Sequence, residues 1–113
     1  MNPFRAGCIF VTSHPFLEMS FGESDHQADD RPYLDIQRDT ANSDPHPWYI
    51  EATDPQGEWA YGYYAVLSAE LRRSNFRIRW GPQPQDAVQV NFKVDARTFA
   101  ELVRVAQLMF RKP

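Results

Sequence analysis

The chain contains one cysteine, Cys8. An internal disulfide is therefore impossible, which excludes the stapled scaffold of a small secreted protein and fits a reducing compartment. Glycine is scarce, with five residues scattered so that none forms a phosphate-cradling loop. No apolar run approaches the ~18 residues of a membrane span, and the N-terminus MNPFRAGCIF lacks the small-residue cleavage site of a signal peptide. A cytoplasmic protein that avoids membranes is the expectation.

Reactive groups are as sparse. The three histidines, His14, His26 and His46, have no second ligand at helical spacing. Asp25, His26, Asp29 and Asp30 come nearest to a metal cluster, but they sit in GESDHQADDR, residues 22–31, an acidic stretch without apolar residues that reads as a mobile solvated loop. Ser13 beside His14 is not a catalytic dyad, because such geometry is assembled by the fold and not by sequence neighbours. Cys8 lies in an apolar run that suits an inert buried thiol. No metal, no cofactor and no catalytic residue is expected.

What is present describes an ordinary globular chain of 113 residues, 42% apolar and 24% charged. That length suits one domain, 1–113, able to bury roughly two thirds of its unfolded surface. Charge is divided unevenly: residues 1–58 hold eleven Asp/Glu against three Lys/Arg, a balance of −8, and residues 59–113 hold four against nine, a balance of +5. Either the halves attract one another within the fold, or an acidic surface meets a basic partner. Arg72, Arg73, Arg77, Arg79 and Lys93 could form a basic strip for single-stranded nucleic acid, but the net charge of −3 opposes the electrostatic term such binding needs. Nucleic acid is not an expected partner.

The clearest element is the last. Asp95 is a good N-cap, and Phe99, Leu102, Val103, Ala106, Met109 and Phe110 then recur at three- and four-residue spacing as the apolar stripe of a helix, with Leu108 nearly opposite and Arg111 and Lys112 at its end. Before it, Phe76, Ile78 and Trp80 alternate with arginines, and Val88, Val90, Phe92 and Val94 alternate with polar residues, a half-buried hairpin closed by GPQPQD. AVLSAEL and PYLDIQR read as further strands, AGCIFVTS and FLEMSF as weaker ones. The expected class is α+β, an antiparallel sheet of about five to seven strands with one C-terminal helix packed on one face.

The aromatic residues are partitioned. PWYIEATDPQGEWAYGYY, residues 47–64, holds six of the chain's sixteen aromatics, all Trp or Tyr, and all eight Phe lie elsewhere. Asp54, Pro55 and Gly57 satisfy a type I turn with a following glycine bulge. In that register Thr53 faces Trp59, Glu51 faces Tyr61 and Tyr49 faces Tyr63. One side then carries Tyr49, Glu51, Thr53, Trp59, Tyr61 and Tyr63, and the other Trp48, Ile50, Ala52, Ala60, Gly62 and Tyr64. The small middle of the second side leaves room for the helix, so it is assigned to the core. The first side, rich in aromatics with a polar tip, has the composition of a protein-binding surface.

YIEATDPQGEWAYGYYAVLSAELRRSNFRIRW and VQVNFKVDARTFAELVRVAQLMF resemble the tenth numbered immunity-protein family of bacterial polymorphic toxin systems. The matching positions are Tyr49, Ile50 and Glu51, Asp54, Tyr61 and Gly62, Glu70 and Leu71, Arg77 and Arg79, and Asp95, with YLDIQR as an earlier strand. The resemblance covers residues 33–38 and 49–110 and departs at Pro55, Gln56, Tyr63 and Tyr64. It implies a non-catalytic protein that binds and neutralises one cognate toxin domain. The alternatives are a small-ligand or enzymatic domain using the same face, and a single-stranded nucleic-acid binder; homodimerisation is left open.

Overall fold

The computed structural model describes residues 1–23, 31–39, 41 and 46–111. Most of the acidic segment 22–31, with the candidate ligands Asp25, His26, Asp29 and Asp30, lies outside them. The class is α+β and, among the described residues, there are nine strands in two sheets and one C-terminal helix. The strands are β1 (Phe4–Arg5), β2 (Cys8–Thr12), β3 (Leu17–Gly22), β4 (Tyr33–Arg38), β5 (Trp48–Thr53), β6 (Trp59–Tyr64), β7 (Ser68–Arg72), β8 (Asn75–Arg79) and β9 (Ala87–Asn91), and the helix is α1 (Ala96–Met109). β2 to β6 form an antiparallel meander in chain order. The second sheet has the order β1-β9-β8-β7, with the two-residue β1 parallel to β9.

Strands of period two with one apolar face must bury that face. Leu17, Met19 and Phe21 of β3, Leu34 and Ile36 of β4, and Ile50 and Ala52 of β5 point to one side and are buried. Phe76 and Ile78 of β8 and Val88 and Val90 of β9 do the same for the second sheet. The two sets join in one core. Phe21 stacks on Phe76 with centroids 5.5 Å apart and on Phe92 at 6.0 Å, so Phe fills the seam between the sheets.

The second sheet changes what covers the hairpin β5–β6. A single sheet beneath the helix was expected; the helix instead lies along β2 and β3. It meets the hairpin's inner side through Trp48, whose ring lies 6.4 Å from that of Phe110. Beside it on β6, Tyr64, the register partner of Trp48, meets Trp80, which follows β8, at 6.0 Å. The small residues nearer the turn include Gly62 at φ +147, and the Tyr64 ring lies 3.6 Å from where a Cβ would stand there.

The helix begins as its sequence requires, with the Asp95 carboxylate accepting the Thr98 N–H at 2.7 Å. Its buried face differs from the expected stripe. Leu102, Val105 and Met109 are fully buried, and Leu108 packs half-buried on the core. Ala106 and Phe110 of the expected stripe pack half-buried on the core, and with Val103 and Leu71 they line an open apolar groove of about 250 Å³, while the Phe99 ring carries the Arg73 guanidinium at 4.9 Å. At the C-terminus the cation comes from another strand. Arg38 of β4 donates to the carbonyls of Met109 at 2.6 Å and Arg111 at 2.7 Å, and Trp48 Nε1 donates to Met109 at 2.9 Å. Arg38 also lies over the Trp48 ring at 4.7 Å. The orphan carbonyl of Met109, at the end of the last turn, is thereby satisfied from the meander.

Because Phe21 touches both aromatic partners of the second sheet, Phe21→Ala should destabilise the fold by about 3–5 kcal/mol, the usual cost of emptying a buried Phe site. Denaturant unfolding measures this. A loss below ~1 kcal/mol would place the seam between the sheets elsewhere.

Candidate functional site: the outer face of the five-stranded sheet

The register of β5 and β6 pairs Thr53 with Trp59, Glu51 with Tyr61 and Tyr49 with Tyr63. The turn does what its chemistry demands: Gly57 adopts φ +83, the Asp54 N–H donates to the Glu58 carbonyl at 2.8 Å, and the Gly57 N–H donates to the Asp54 carbonyl at 3.0 Å. Asp54 is itself buried. Its Oδ1 accepts the N–H groups of Gln56 at 3.0 Å and Glu58 at 2.9 Å, and its Oδ2 accepts the backbone and side-chain N–H of Asn2 at 2.9 and 3.1 Å. Burial pushes this carboxyl's pKa upward, but the four donors outweigh that and hold it below the ordinary carboxylate range.

All six residues singled out by the sequence therefore lie on one side, which faces away from the core. Trp59, Tyr61 and Tyr63 are 66%, 60% and 66% exposed, well beyond what a sheet needs for its own packing. Tyr49, Glu51 and Thr53, on the strand inside the edge, are half-buried. Trp59 and Tyr61 stack with centroids 5.4 Å apart, and Tyr49 meets Tyr63 edge-on at 5.3 Å. The rings support one another and leave their other faces open.

Continuing the register across the meander adds residues that the sequence reading did not single out. Phe10, Ser20, Asp35, Glu51 and Tyr61 form one transverse row. Thr12, Glu18, Gln37, Tyr49 and Tyr63 form the row beside it, and Tyr33 lies between Gly22 and Thr53 on the other side. Phe10, 55% exposed, marks the far edge. Three carboxylates thus occupy the middle of the face, with aromatic rings around them. No outward position on these strands is Lys or Arg.

Asp35 is the unusual member, being only 6% exposed on the solvent side of the sheet. Gln37 Nε2 donates to its Oδ2 at 2.8 Å and to Glu18 Oε2 at 3.2 Å. No N–H or O–H donor reaches its buried Oδ1. An ionised carboxylate there would lack both water and a cation. Burial, then a hydrogen bond shared with Glu18, and then the Glu18 and Glu51 charges raise the Asp35 pKa to about 8, against a lowering by Gln37. A protonated Asp35 donates to Glu18, and the orphaned oxygen is explained. The Tyr33 hydroxyl is pushed up to about 12, first by burial and then by its hydrogen bond to the Glu51 carboxylate. Burial and the neighbouring Glu51 and Asp35 charges also raise Tyr49.

These residues left a partial trace in the sequence. Leu34 and Ile36 alternate with Tyr33, Asp35 and Gln37, and Leu17, Met19 and Phe21 alternate with Glu18 and Ser20. Each pattern separates two sides of one strand, but the meeting of Asp35 with Glu18 and Glu51 depends on the order β3-β4-β5. Among the described residues no group of three His, Cys, Asp or Glu is arranged to hold a metal ion, and no helix is long and apolar enough to cross a membrane. No family model, curated protein or solved structure matches the chain.

A carboxyl whose folded pKa is raised contributes most stability below its unfolded pKa, and that contribution is lost as pH rises through the folded value. Asp35→Asn removes the titration. Its melting temperature relative to wild type should therefore rise progressively between about pH 4 and the folded pKa near 8 and level off above it. Calorimetry across this range checks the sign; a pH-independent difference would show Asp35 to be ionised in the fold.

Proposed function

We propose that the chain is a non-catalytic immunity protein that binds a cognate toxin domain through the outer face of β2–β6 and neutralises it in the cytoplasm. The observation that carries the binding role is the exposed Trp59, Tyr61 and Tyr63 cluster on one side of an edge strand. Trp and Tyr give large contact area at little conformational cost, and they dominate the energetics of protein interfaces. β6 also offers an open strand edge, to which a partner can add. The toxin as partner follows from the resemblance of residues 33–38 and 49–110 to the immunity family.

A second reading draws on Asp35, because a protonated carboxyl beside a carboxylate can serve as a general acid in an enzyme or hold a small polar ligand. The binding reading is preferred because the rings extend past this pair to the edge of the sheet, giving an area suited to a macromolecule.

The experiment is co-expression with the toxin domain encoded beside the gene. Trp59→Ala with Tyr61→Ala should abolish protection, since each buried anchor is typically worth ~2 kcal/mol or more in an interface. Loss of their mutual stacking should lower fold stability by no more than about 1 kcal/mol. Full protection by the double variant would sink the reading; an unfolded variant would show that the rings hold the sheet.

A further inference from the structure

The outer face has a defined electrostatic character that the aromatic cluster alone does not explain. Its middle holds Glu18 on β3, Asp35 on β4 and Glu51 on β5, adjacent across paired strands. Like charges directly opposed on a sheet are unfavourable, and a fold usually relieves them with a basic neighbour. Here the titratable groups facing Asp35 are Glu18, Tyr33, Glu51, Tyr49, Tyr61 and Tyr63, none of which can supply a positive charge. The guanidinium closest in sequence, on Arg38, is turned inward onto the end of the helix. Asp35 Oδ1, buried at the centre of this arrangement, is reached by no N–H donor of the protein; it accepts nothing while the proton shared with Glu18 is present and becomes an acceptor once that proton leaves.

We propose that this centre receives an arginine side chain of the partner protein, whose guanidinium bonds the Asp35, Glu18 and Glu51 carboxylates and lies against the surrounding tyrosine rings. The inference rests on the reading of this face as a protein-binding surface and names the chemistry it selects. Arginine fits better than lysine for two physical reasons. Its planar fork presents five N–H donors to several carboxylate oxygens at once, and it stacks on aromatic faces with a smaller desolvation penalty. The complementarity also has a thermodynamic consequence. In the free protein one proton is held between Asp35 and Glu18; when the cation enters, the carboxyl ionises and the proton passes to solvent. Affinity should therefore rise with pH up to the pKa of Asp35 in the free protein and be flat above it.

The test uses the whole chain and blocked tetra-arginine, tetra-lysine and tetra-citrulline peptides, followed by calorimetry and by amide shifts across the sheet. Tetra-arginine should bind roughly tenfold or more tightly than the neutral isostere tetra-citrulline and several-fold more tightly than tetra-lysine, with shifts confined to β3–β6. Its affinity should increase about ten- to twentyfold between pH 6.5 and 8.5, towards the limit of about 25-fold set by one proton released from a group of pKa about 8. Glu51→Gln should weaken it several-fold, and Glu101→Gln on the helix, an acidic control, should not. Asp35→Asn should remove the pH dependence while circular dichroism shows the fold retained. Equal binding of arginine and citrulline peptides, equal binding of arginine and lysine peptides, or a pH dependence that survives in Asp35→Asn would each overturn the proposal. If the peptides fail to discriminate while Trp59→Ala/Tyr61→Ala still abolishes protection, this inference falls and the binding reading stands. If the peptides discriminate while that double variant protects fully, the binding reading falls.

Discussion

The Asp54 carboxylate is the constraint on which the face depends. Four N–H groups converge on it, two from the turn it begins and two from Asn2 at the far end of the chain. A one-residue slip of β6 against β5 would turn β6 over, sending Trp59, Tyr61 and Tyr63 towards the core while Ile50 and Ala52, paired with β4, stay inside. The turn prevents this slip locally, and the bonds to Asn2 fix the turn against the N-terminal segment. Since this carboxyl is held below the ordinary range, its contribution is present above the unfolded pKa and is lost only as pH falls through its depressed folded value. Asp54 and Asp35 thus carry opposite pH signatures although both are buried. Donors make the difference: Asp54 has four, Asp35 has one side-chain amide and two acidic neighbours.

The hairpin could be read from its residues because its register is decided within a few positions by Asp54, Pro55 and Gly57. The helix and its Asp95 cap were legible for the same reason, both being local. The buried side of the helix was not. Its apolar positions extend around more than one face, and only the packing of β2 and β3 against it selects Val105 over Val103. The second sheet was hidden too, since β1 is two residues long and its parallel pairing with β9 spans most of the chain. Asp35 is the clearest case. Alternation in YLDIQR put it on one side with Tyr33 and Gln37, yet its chemistry comes from Glu18 and Glu51, which only strand order brings alongside.

The meander is used on both sides of the same residues. On β4, Arg38 faces inward and caps the helix while Asp35 faces outward into the acidic row; on β5, Trp48 faces inward to the same carbonyl while Glu51 faces outward. The strands that present the candidate site are therefore those that fix the end of the helix. This gives the face a rigid support, which limits the ordering cost that a partner would otherwise have to offset.

The row of carboxylates also governs how copies of the chain treat one another. An exposed aromatic cluster next to an open strand edge is a surface on which proteins aggregate. Two identical faces brought together here would oppose Glu18 and Glu51 to their own counterparts, with no cation to separate them. At neutral and alkaline pH that repulsion keeps the rings of one molecule from those of the next. The chain's solubility should accordingly be governed by this small region more than by its modest net charge of −3.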